Sequence, residues 1–131
     1  MIKAMSLVAS LAVGALLTAC AVSPETQALM DEYERSIPTC SNSLECQSKW
    51  AAARSWAIEN ADFPKYTESE TRIRATSTLT TTSGIGVVVH REGSGNNYRF
   101  LVDVECFNAY GCPNIWEAKV DFNRSLNAIG S

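Results

Sequence analysis

Five cysteines and a single histidine carry the most distinctive chemistry in this chain of 131 residues. Cys40 and Cys46 stand six apart, and so do Cys106 and Cys112. That C-x5-C spacing fits two local disulfide loops. Four cysteines permit three pairings, so a bridge from Cys46 to Cys106 remains open from spacing alone. Zinc is the competing chemistry, but zinc-ligand pairs usually stand about two to four residues apart. Cys20 is separate from both pairs and ends an apolar run. His90 lies in an alternating segment without an adjacent carboxylate to orient it, so it makes a poor general base. Asp103 and Glu105 alternate along a strand pattern, which reads as an exposed charged face before it reads as an acid–base pair. No G-x-S-x-G, P-loop or H-E-x-x-H motif occurs. No catalytic residue, cofactor or metal is expected.

The elements around these residues are legible from pattern. Ser23 can cap a first helix with Pro24 at its first position and Glu25 at the positive end of its dipole. Leu29, Met30, Tyr33 and Ile37 follow at helical spacing, and Pro38 ends the segment. Asn42 with Glu45 three residues on predicts a capped second helix. Its apolar stripe is Cys46, Trp50, Ala53 and Ala57, with Trp56 about 120° from the stripe, which leaves it either in the core or at its rim. Trp50 and Trp116 are expected in the core.

Residues 70–81 change to period two, with Ile73, Ala75, Ser77 and Leu79 on one face of a strand rich in Arg and Thr, suited to an exposed edge. A turn at Thr82-Ser83-Gly84 would set Leu79 opposite Val87. Ile85, Val87 and Val89 form the buried row of a second strand. A third runs from Tyr98 to Phe107. A four-residue loop from Gly93 to Asn96 would pair Val89 with Phe100 and place Arg99 opposite His90. Asn114 caps a last helix carrying Ile115, Phe122, Leu126 and Ile129. The expected fold is α+β: N-terminal helices, a three-stranded antiparallel meander and a C-terminal helix packed on one sheet face, held by two disulfides. On the opposite face, Val88, Arg99, Leu101, Asp103 and Phe107 form a candidate partner patch, unless the first helix covers it.

Composition narrows the class. Hydrophobic residues are 46% and charged residues 19%, which excludes a disordered chain. Eleven Lys and Arg against 14 Asp and Glu give no basic excess for nucleic-acid binding. Lys3 is the only charge before Glu25, and Ala4 to Leu17 is apolar or small, as in a secretory signal. Leu17-Thr18-Ala19-Cys20 closes the run, and here the chain resembles a bacterial lipoprotein with its lipobox. The resemblance implies removal of residues 1–19 and lipid on Cys20. It also implies outer-membrane sorting, since Ala21 stands where Asp would retain the protein in the inner membrane. Residues 20–23 then form a short tether and 24–131 one domain. Loss of Lys3 moves the net charge from −3 to −4.

With Cys20 committed to lipid, the even count of four remaining cysteines in an exported chain reads as two disulfides. The mature segment is similar to uncharacterised small proteobacterial lipoproteins. The similarity lies in Cys46-Gln47-x-Lys49-Trp50-x-Ala52-Ala53, Tyr98-Arg99-x-Leu101-Val102-Asp103-Val104, Tyr110-Gly111-Cys112 and Asp121-Phe122-Asn123-Arg124. It implies no activity. The expected role is a membrane-anchored, non-catalytic module for a protein or envelope partner. A cell-wall enzyme and a structural or adhesive lipoprotein are the alternatives.

Overall fold

A computed structural model describes residues 21–62, 65–76, 84–106, 112 and 114–130. Cys20 and the segment before it, the Thr82-Ser83 turn, Leu79 and Phe107 lie outside these residues. Three helices, α1 (Pro24–Arg35), α2 (Ser43–Asn60) and α3 (Ile115–Asn127), accompany five strands: β1 (Thr39–Cys40), β2 (Lys65–Glu68), β3 (Arg72–Thr76), β4 (Ile85–Ser94) and β5 (Asn97–Cys106). The fold is α+β.

The helices start where side chains satisfy their free N–H groups. Ser23 Oγ accepts from Thr26 N at 3.2 Å, Asn42 Oδ1 from Glu45 N at 2.9 Å, and Asn114 Oδ1 from Trp116 N at 3.0 Å. Glu45 reaches back to accept from Ser41 N at 2.8 Å, one residue before the usual target of a capping box.

The sheet is antiparallel with order β1-β5-β4-β3-β2. The expected meander is its centre, β3-β4-β5, but two strands extend it. β1 has two residues and β2 has four exposed ones, so neither offers the buried alternation that marks a strand in sequence. β2 also covers the Arg- and Thr-rich β3, which is therefore not an edge.

Both hairpin registers differ from expectation. Val87 pairs with Ala75 rather than Leu79. Val89 pairs with Val102 rather than Phe100, because Ser94 pairs with Asn97 and only Gly95-Asn96 turn the chain. Gly93, at φ +143°, and Gly95, at φ +60°, permit this tight turn. The shifts are by even numbers of residues, so each side chain keeps its face.

Ile73, Ala75, Val87, Val89, Phe100, Val102 and Val104 meet Cys46, Trp50, Ala53 and Ala57 of α2 and Phe122 and Leu126 of α3 in one core. Trp56 is buried, in the core and not at its rim, the two places its angle on α2 left open. α3 supplies a second wall, where Phe122 meets the indole edge-on at 5.3 Å and Asp121 accepts its N–H at 2.9 Å. Trp116 is half-buried instead of in the core, against Tyr33 and Lys119.

α1 has no buried residue and packs on α3. Polar bonds hold it there. Asn123 Nδ2 donates to Tyr33 O at 2.9 Å, Asn127 Nδ2 to Ser36 O at 2.7 Å, and Arg124 forks onto Glu32 at 2.6 Å.

The disulfides are Cys40–Cys46 and Cys106–Cys112. The first joins β1 to the start of α2. Pairing of all four thiols removes the zinc reading.

Candidate functional site

Period-two alternation gives the sheet two different faces. The helices cover one. The other presents Lys65 and Thr67 from β2, Arg72 and Arg74 from β3, Val88 and His90 from β4, and Arg99, Leu101, Asp103 and Glu105 from β5. α1 lies against α3 and leaves this outer face open among the described residues.

Four of the five patch residues share the outer face, and Phe107 lies outside the described residues. Val88 is buried at 7% and Leu101 half-buried, so the apolar element is narrow. Across the strands Val88 faces Asp103 and His90 faces Leu101. Arg99 is not opposite His90; the tighter hairpin sets it opposite Glu92, which accepts its Nη2 at 3.0 Å. The cation beside His90 is Arg72, on β3. Asp103 has Lys119 Nζ at 3.7 Å, and that ammonium also lies over the rings of Trp116 and Tyr33. Glu105 is opposite Gly86, two residues along the same face from Asp103.

The outer face is divided by charge. Lys65, Arg72 and Arg74 stand on the β2–β3 side, and Asp103 and Glu105 on β5. A depression of about 220 Å³ opens at the β2–β3 end, lined by Thr67, Glu68, Ser69, Arg72 and Arg74. A second, of about 390 Å³, lies beside the Cys40–Cys46 loop and is lined by Thr39, Ser41, Asn97 and Tyr98 with the Glu92–Arg99 pair.

Behind the first depression, on the helix side, a polar cluster ties β2 to α2. Arg54 donates through Nε to Glu68 Oε2 at 2.8 Å and through Nη2 to Oε1 at 2.6 Å, and the Tyr66 hydroxyl donates to the same carboxylate. The Arg54 hydrogen bonds hold the Glu68 carboxyl at about 2, against desolvation that pushes it upward. Burial, then the bond to Glu68, raises the Tyr66 phenol. Next to this cluster Arg91 lies over Trp50 at 4.4 Å and Tyr98 at 5.1 Å, and donates to Glu70 O.

Sequence reading missed this cluster. Arg54 and Glu68 are distant in sequence and joined across a turn, and no local period relates them. Among the described residues, no group of three or more His, Cys, Asp or Glu could hold a metal ion. No helix of the described residues is long and apolar enough to cross a membrane. The chain matches no family model, and comparison with curated proteins and with solved structures finds no match.

Proposed function

We propose that the chain is a bacterial envelope lipoprotein whose small disulfide-stapled domain acts as a non-catalytic binding module for a protein or envelope partner. In this reading residues 1–19 are removed and Cys20 carries the lipid. Each buried CH₂ contributes ~0.8 kcal/mol, so two or three acyl chains anchor stably where one holds marginally. Ala21 after the cysteine favours the outer membrane. Only Ala21, Val22 and Ser23 separate Cys20 from the first residue of α1, so the domain sits close to the bilayer.

The observation that carries the binding role is the asymmetry of the sheet. Its helices gather on one side, and among the described residues none covers the Val88–Leu101 face, where charges surround a narrow apolar centre. Such a face suits a partner that matches both charge signs.

Site-specific photocrosslinking in cells tests it. A crosslinker at Leu101 should yield a discrete adduct, and one at exposed Ala51 on α2 should not. Adducts from Ala51 with none from Leu101 would move the binding surface to the helices. Loss of a cellular phenotype in folded Asp103→Asn, with Leu101→Glu unaffected, would replace binding with hydrolase chemistry.

A further inference from the structure

We propose that the β2–β3 end of the outer sheet face is a binding site for a phosphate group, with Arg72 and Arg74 as its principal ligands. The site rests on the geometry of these two strands and requires neither the lipid anchor nor the Leu101 surface.

Ser69 N–H donates to Arg72 O at 2.8 Å and closes the turn between the strands. Ile73 and Ala75 point into the core, so Arg72 and Arg74 both point outward into the depression of about 220 Å³. Residues i and i+2 of a strand stand ~7 Å apart. At that separation two long, flexible guanidinium side chains can close on one tetrahedral oxyanion, each offering a planar fork of N–H donors. Thr67 is directly opposite Arg74, and Ser69 lies at the turn, so two hydroxyls line the same hollow.

The charge balance points the same way. Arg54, Arg99 and Arg124 each pair with a carboxylate, whereas among the described residues neither Arg72 nor Arg74 does. Among the described residues Glu68 is the only carboxylate in the lining, and both its oxygens are occupied by Arg54 and Tyr66 on the helix side. Two neighbouring like charges with no counter-charge oppose each other in the folded strand. A bound anion relieves this. A phosphate group holds its oxygens tetrahedrally, so two forks can approach it from different directions, which the plane of a carboxylate favours less. The hollow is shallow, so it takes the phosphate itself and leaves its substituent in solvent. Free phosphate and the phosphodiester of a lipid headgroup both satisfy this chemistry.

NMR titration of the purified, folded chain decides, with two soluble probes: inorganic phosphate and glycerophosphoglycerol, a headgroup without its acyl chains. The expected result is a saturable shift of the Thr67, Ser69, Arg72 and Arg74 signals. Binding should weaken about tenfold in Arg72→Gln and again in Arg74→Gln, as for loss of a charge-assisted bond at an exposed site. Arg35→Gln, which removes an exposed cation from α1, should leave it unchanged. Arg72→Lys/Arg74→Lys keeps the charge, loses the forks and should bind with intermediate strength, which also serves if the glutamine variants fail to fold. A response to phosphate alone assigns a free anion, and one to the diester alone assigns a headgroup. No saturable shift with either probe, or equal loss in Arg35→Gln, overturns the proposal.

Discussion

Replacing Glu68 by Gln removes the charge that clamps β2 to α2 while keeping the side chain's shape. In the folded chain the Glu68 carboxyl stands at about 2, against an ordinary value of 4.5, chiefly through its two bonds from Arg54. If that displacement acted wholly on stability it would contribute ~3 kcal/mol. Solvent reaches the pair, with Arg54 39% and Glu68 24% exposed, and screening reduces the expected contribution to ~1 kcal/mol. The sign follows from the depressed value. The ionised form is favoured by folding, so the contribution is complete above about pH 4.5 and disappears as pH falls toward about 2. Urea unfolding of both proteins, disulfides intact, should give a wild-type advantage of ~1 kcal/mol at pH 7 that shrinks through pH 4 and 3 and is gone near pH 2. Arg54→Met should show the same loss at pH 7, and the double variant should cost less than the two singles added. An advantage that did not change between pH 7 and pH 2 would refute the charge clamp.

Gly93→Ala tests the β4–β5 turn. At φ +143° its Cβ would stand 1.9 Å from Asn97 O, so the hairpin must shift and stability should fall by more than ~2 kcal/mol in urea unfolding. Gly95→Ala meets open space and should cost ~1 kcal/mol; a larger loss there than at Gly93 would contradict the register. Asn123→Ala removes the buried amide that bonds Tyr33 O and Ser36 Oγ, and should cost ~1–3 kcal/mol, read as a lower thermal midpoint. Asn127→Ala, at the exposed end of the same contact, should cost less.

The legible parts of the fold are those specified locally. Asn42 and Asn114 cap helices because a side-chain oxygen meets an N–H two or three residues on, a relation visible in a short window. The core stripe of α2 follows from a 3.6-residue period, and the face of each meander strand from a period of two. Register is different. It depends on where the chain turns, and Gly93-Ser94-Gly95-Asn96 is compatible with turns of two or four residues. Parity preserved every face while moving Arg99 from His90 to Glu92.

Trp56 is buried because α3 crosses α2 on a side that the α2 sequence does not foretell. β1 and β2 are too short to carry a period. The Arg72–Arg74 pair was visible as alternating charge, but its hollow exists only because β2 brings Thr67 and Ser69 alongside.

Whether a lipid on Cys20 holds this domain at the envelope is read from the mass of the mature N-terminal peptide. The mature chain should begin at Cys20, with a diacylglycerol thioether on its sulfur and an acyl group on its new amine. A peptide continuous through Ala19-Cys20 with an unmodified thiol, recovered from the native host, would contradict it.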